Sequence, residues 1–314
     1  MILFIYFLNK MENLYQDIFK YILSFLDQRE LVILTRVSKT FYNIINNLKL
    51  PDVEFHVACL KGYYLNIHKH IKNKKPFNIN KSFHKACQGG HKNIIKLLIR
   101  YGPEDWDNAL FYACKNGNKD IVEYLINLGA NNWNYGLCGA CESGNIDIIN
   151  FMVDKGANDW DYALYYACKN GNKDVINFII QKGAKDIFLG LEGAYEKNNK
   201  QIICFLIKKQ LHDKYWTLYE ACKKGYKYIV EILIQNGSDP NDGLYSACES
   251  GNIEILELLI ENGANDLNRG LIGACAGGQI EIVKYLLKNG ANDRNAAIEE
   301  ASRNGYTEIV KLLI

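Results

Sequence analysis

The chain has no apolar run long enough to cross a bilayer, which takes about twenty residues. Its one apolar opening, residues 1–8 (MILFIYFL), is too short for a span and lacks the basic leader and small-residue cleavage site of a secretory signal. Residues 1–10 are therefore expected to be a disordered extension, with Met11 as an alternative start. Neither sign of charge dominates. Thirty-seven basic and thirty-five acidic side chains leave a formal charge of +2, no footprint for nucleic acid or an anionic lipid surface. The six histidines are scattered, with no H-E-x-x-H pair, phosphate-cradling glycine loop or serine elbow beside them. These absences point away from a membrane protein, a nucleic-acid binder and an enzyme, and they imply no cofactor and no metal. The expected compartment is intracellular, in the cytoplasm or nucleus of a host cell.

The chain does contain a repeat. Alanine recurs at Ala58, Ala86, Ala113, Ala140, Ala167, Ala194, Ala221, Ala247, Ala274 and Ala301, and seven of the nine intervals are 27 residues. Three residues before each stands a large apolar side chain, from Phe55 and Phe83 through Leu110, Leu164 and Leu271 to Ile298. Four residues after it comes glycine, except at Asn198. A second apolar series follows, as in Ile121, Val122, Leu125 and Ile126, whose spacing lines one face of a helix. Asn118, Asn145, Asn172 and Asn252 stand where N-caps belong, and Gly129, Gly156 and their counterparts close the series. Each unit reads as helix, tight glycine turn, helix. A pair this short cannot bury its apolar face alone, so neighbours must stack, and alanine lets them approach closely.

Phe83-His84-Lys85-Ala86, Gly117-Asn118-Lys119-Asp120-Ile121-Val122 and Gly129-Ala130-Asn131 carry the resemblance to ankyrin repeats, over residues 54–314. The resemblance implies an all-α, ankyrin-like solenoid of about ten shortened helix-turn-helix repeats of 27 residues. Ankyrin units usually run about 33 residues. The missing part is where the β-hairpin fingers lie, so tight loops are expected there. Such short units are similar to those of ankyrin families of large DNA viruses. The unit of Ala194 (Tyr195, Asn198, Gln210-Leu211) and the short, Pro240-bearing unit of Ala247 are irregular, and a bend in the stack is expected there.

Residues 11–50 follow another pattern. Ile18, Ile22, Phe25 and Leu26 form an amphipathic stripe, Asp27 and Glu30 a capping box before Leu31 and Leu34, and Ser38 a cap before Phe41, Ile44 and Ile45. Three short helices leave too little core to fold unaided. Leu14, Ile22-Leu23, Leu26, Asp27, Leu31 and Val37-Ser38 resemble an F-box, although Tyr15 stands where that pattern has proline. The resemblance implies a Skp-family adaptor of a cullin–RING ubiquitin ligase as partner, contacted through Leu14, Ile18, Ile22, Leu23, Leu26, Leu31 and Val37. The other reading is a helical cap that seals the stack. The corresponding functions are a substrate receptor, which holds a target protein on its repeats and docks to the ligase, or a scaffold or masking protein with no ubiquitin connection.

Two features of the repeats are candidates for target contact. Trp106, Trp133 and Trp160 recur at the 27-residue spacing; such rings often anchor interfaces, and they could equally plug the space left by shortened fingers. The ends of the first helices carry Lys115, Glu142, Lys169, Lys223, Lys224 and Glu249, a row of changing sign that suits a mixed-charge partner or a solvated face. Cysteine follows eight of the repeat alanines. Equivalent residues of stacked helices lie about 8–10 Å apart, too far for a disulfide, whose Cα atoms are about 4.4–6.8 Å apart. The ladder reads as small buried hydrophobes.

Overall fold

The computed structural model describes residues 53–209 and 213–314. The extension at 1–10 and the module at 11–50 lie outside the described residues, as do all seven expected adaptor contacts. Among the described residues there are twenty helices and no strand. They come in ten pairs, numbered α1 to α20 in chain order, odd numbers marking the first helix of each pair.

One pair shows how the sequence builds the others: α9 (Trp160–Asn170) and α10 (Lys173–Lys182). The Asp159 carboxylate accepts the Tyr162 N–H at 3.3 Å, satisfying a donor that the first turn of α9 leaves free. Leu164, Ala167 and Cys168 are wholly buried along one stripe. Gly171 then ends α9 at φ +91°, a left-handed geometry that side chains resist. Asn172 caps α10 by accepting from Asp174 N at 2.9 Å and Val175 N at 3.4 Å. Asn198, the one departure from glycine, holds the same left-handed turn at φ +52°. Asn252 departs from expectation. It makes no cap hydrogen bond, and its Nδ2 instead donates to the Cys222 carbonyl of the preceding unit at 3.0 Å.

The chain divides into two compact units, one ending at Ala140 and one spanning Cys141–Ile314. In the first, α1 (Phe55–Lys61) packs on α3 (Ile79–Gly89), and α3 on α5 (Trp106–Lys115). In the second, α9 packs on α11 (Ile187–Glu196), α13 (Lys214–Lys223) on α15 (Asn241–Glu249), and α15 on α17 (Leu267–Ala276). All ten repeat alanines are fully buried. Some steps are tighter still. A Cβ on Gly193 would lie 2.1 Å from the Tyr165 carbonyl oxygen, and one on Gly273 2.2 Å from that of Tyr245. Both glycines immediately precede the repeat alanine. In α13 that position is Glu220, and beside α13 Tyr195 of α11 stands where other units have cysteine, its ring stacked on Tyr226 at 4.2 Å.

A side-chain ladder ties the shortened loops together where fingers would otherwise pair. Six residues before the repeat alanine stands Asn or Asp, whose oxygen accepts backbone N–H groups from the next loop. Asn241 accepts from Asn265 and Asp266, both at 2.9 Å, and Asn268 from Asn292 at 2.7 Å and Asp293 at 3.0 Å. Asp161 holds Lys185 N and Asp186 N in the same way, and in the first unit Asn80 takes Glu104 N at 3.0 Å. Phe188, in the irregular unit of Ala194, and Tyr215, in the unit of Ala221 just before the short one, occupy this register without a carboxylate or amide oxygen. Asn268→Ala removes two such bonds at an exposed site, where each is worth about 0.5–1.5 kcal/mol, so chemical denaturation should register a loss of about 1–2 kcal/mol.

Candidate target-binding surface

The predicted tryptophans are half-buried, and each opens a first helix. Trp106 meets the buried Phe83 edge-on at 5.3 Å. Trp133 begins α7 (Trp133–Ser143), and Trp160 lies 3.9 Å from where a Cβ on the closing Gly183 would be. Trp106 and Trp160 thus each lie beside a neighbouring element of the stack. In the first unit the neighbouring rings satisfy one another. Phe111 stacks on Tyr135 at 4.8 Å, and the Tyr135 hydroxyl donates to Asn108 Oδ1 at 3.2 Å.

The predicted charges in the second unit pair with other residues of the stack. Lys169 bonds Glu196 at 2.7 Å, and that carboxylate also accepts the Tyr165 hydroxyl. These two donors hold the Glu196 carboxyl below its usual range, while burial first and then Glu196 push the Tyr165 phenol up. Lys223 faces Glu249 at 3.5 Å, and Lys224 meets Glu192 at 2.5 Å, with the Tyr226 hydroxyl donating to the same oxygen at 3.2 Å. Lys115 and Glu142 are half-buried at the ends of their helices. The changing signs therefore serve first to join neighbouring units. Such exposed pairs are each worth about 0–1 kcal/mol.

A different row is left open. Tyr215, Trp216 and Tyr219 on α13 and Tyr245 on α15 lie with their rings nearly parallel. Trp216 stacks on Tyr219 at 5.6 Å and 11°, and Tyr219 faces Tyr245 at 6.5 Å and 18°. Trp216 is 53% exposed and Tyr215 45%, against the half-buried tryptophans of the predicted set. The signal was in the repeat register: aromatics fall two residues before Ala221 and Ala247 and five before Ala221. Following only the 27-residue tryptophan series passed over them. Tyr162, five before Ala167, is 57% exposed on the same pattern.

The cysteine ladder is packed away from solvent. All ten cysteines are free, and every one except the half-buried Cys204 is buried. Burial drives the thiols of the alanine-following ladder up, Cys275 to about 11 and Cys248 to about 12, with Cys59, Cys87, Cys114, Cys168 and Cys222 raised in the same direction, so these stay protonated and inert at neutral pH. A chromogenic disulfide reagent should titrate about one thiol in the native chain, Cys204, and all ten once it is unfolded; rapid reaction of several native thiols would contradict the packing. Among the described residues no three His, Cys, Asp or Glu side chains are placed to hold a metal, and no helix is long and apolar enough to cross a membrane.

Comparison with known families supports the same picture. The profile for ankyrin repeats (3 copies) matches residues 55–135, 191–270 and 244–314, and that for ankyrin repeats (many copies) matches 137–180. The F-box domain profile matches residues 11–52. No curated protein matches the chain. Among solved structures, the crystal structure of the human ASB11 ankyrin repeat domain is similar at 20% identity and a TM-score of 0.31, covering 65% of this chain and 97% of that one.

Proposed function

This chain belongs to the ankyrin-repeat family and carries an F-box domain at residues 11–52, and from that premise we propose that it is the substrate receptor of a cullin–RING ubiquitin ligase. Both modules are protein-interaction modules, so the chain is an interaction adaptor. The finer reading rests on one observation, the F-box match directly ahead of the repeats. In it, Leu14, Ile18, Ile22, Leu23, Leu26, Leu31 and Val37 supply the apolar surface that a Skp-family adaptor covers, completing a core too small to stand alone. The repeats hold a target protein, and joining two binding surfaces in one chain raises the effective concentration of target at the ligase without any chemistry by the chain itself. The ligase partnership places it inside the cell, in cytoplasm or nucleus.

Tyr15, where the F-box pattern has proline, favours a second reading, in which the amino-terminal segment only seals the stack and the chain is a scaffold or mask. Co-purification with a Skp-family adaptor separates the two. Retention of the adaptor by the chain and its loss in a Leu14→Asp/Ile22→Asp variant is the expected result. No retention by the unaltered chain would leave only the scaffold.

A further inference from the structure

On α13, cations of this chain already cover the rings on either side of Trp216. The Arg269 guanidinium lies 5.5 Å from the Tyr215 ring centroid, donates to the Tyr215 hydroxyl oxygen at 3.0 Å and faces Asp242 at 3.7 Å. Lys223 lies over Tyr219 at 5.7 Å. Trp216 is the strongest cation–π acceptor of the three and the most exposed, yet among the described residues no lysine or arginine lies over it. The surroundings are acidic. Asp242 feels both Asp239 and Asp213, with Asp213 capping α13 at Trp216 N, 2.9 Å away. Against these three carboxylates stand Arg269, Lys223 and Lys214; Lys223 is paired with a fourth carboxylate, Glu249, at 3.5 Å, and the Lys214 ammonium is turned away to the Asn236 carbonyl at 3.2 Å. Arg269 thus shows which group the site suits: a guanidinium beside a tyrosine ring, bonded to its hydroxyl oxygen and within reach of a carboxylate.

We propose that Trp216, flanked by Tyr215 and Tyr219 and backed by Asp213 and Asp242, is a docking platform for an arginine side chain of the protein held on the repeats. The occupant is a basic, arginine-bearing segment. An ammonium would gain the ring but not the flat stacking and forked hydrogen bonds of a guanidinium, so lysine should bind more weakly. The platform rests on the reading that the repeats hold a target, and it names the chemistry of that target.

Fluorescence anisotropy with the full chain tests it, using labelled Gly/Ser peptides that carry two arginines, two lysines or two glutamines. The arginine peptide should bind saturably, the lysine peptide several-fold more weakly and the glutamine peptide not at all, with binding weakened by salt. Trp216→Leu should weaken the arginine peptide about tenfold while Trp216→Phe retains most of the affinity, and Asp242→Asn should also weaken it. Trp216 is 53% exposed, so unchanged melting of these variants is expected and separates lost binding from lost fold. Equal binding of the three peptides, or indifference to Trp216→Leu, overturns the proposal. So does tighter binding of lysine than arginine, or a Trp216→Leu variant that dissociates a self-associated chain, since the face then serves another occupant. Adaptor retention reads the ligase partnership separately. A chain that keeps the adaptor but ignores arginine has the wrong platform, and one that binds arginine but not the adaptor has the wrong ligase role.

Discussion

Leu164→Ala should destabilise the second unit by about 2–5 kcal/mol, the range for emptying a fully buried leucine site, and lower the melting midpoint by roughly 2–4 °C for each kcal/mol. Leu164 is wholly buried, and it presses on a glycine of the next unit. A Cβ on Gly190 would lie 3.0 Å from Leu164 Cγ and 3.1 Å from its Cδ2. The missing Cβ and the leucine are two halves of one fit. Gly190→Ala alone therefore sets a gain in helix propensity of about 1 kcal/mol against a tight contact, and should change stability little. In the double variant the new methyl enters the space Leu164 has left. Its loss should be smaller than the sum of the single losses by about 1 kcal/mol. Strict additivity in urea denaturation would show that the two positions do not meet.

Gly193→Ala is the second large effect, and here opposing terms decide the sign. Replacing glycine inside a helix ordinarily stabilises by about 1 kcal/mol. At Gly193 the added carbon would sit 2.1 Å from the Tyr165 carbonyl oxygen, a backbone atom that cannot swing aside as a side chain would. Helices α9 and α11 would have to part along their length, and overpacking of this kind costs about 1–3 kcal/mol or more. Net destabilisation is expected. Glu220→Ala, at the same register of α13, begins from a residue that already has its Cβ and should stay within about 0.5 kcal/mol of the parent. A rise in the midpoint for Gly193→Ala would contradict the close approach of α9 and α11.

The alanine column, the apolar residue three before it and the glycine turn were legible in the sequence, because each answers one local demand that recurs every 27 residues in most units. Buried alanines and left-handed glycines leave little room for another reading. The side-chain ladder was harder to see. Asn241 and Asn268 look like ordinary polar residues near a helix start, and only the stacking brings the next loop's N–H groups to their oxygens. Asn252 matched the cap pattern, yet the preceding unit's carbonyl draws its amide away. The burial of the tryptophans was out of reach of the sequence for a related reason. The 27-residue spacing is regular, but how a ring at a helix start is covered depends on its neighbours: Phe83 meets Trp106 edge-on, while Trp216 stacks on Tyr219 and stays 53% exposed. Alternating charges showed their signs in sequence but not that Lys169 and Glu196 would answer each other across a helix boundary.

The ladder also relates the unit of Ala221 to the open surface. Phe188 and Tyr215 take the register of the asparagine or aspartate that elsewhere grips the following loop. Tyr215 turns its hydroxyl instead to Arg269, two units on, at 3.0 Å. The same substitution that breaks the loop contact supplies a ring to the platform.

A connector with two separate holding ends must carry both partners at once. The decisive measurement is the dissociation constant of a purified Skp-family adaptor for the full chain, taken without and then with saturating arginine peptide. One adaptor and one peptide per chain are expected, with the constant unchanged within about twofold, since uncoupled sites leave each other's affinity alone. Displacement of the peptide by the adaptor, or no adaptor binding in either state, would contradict a chain that joins a target to a ligase.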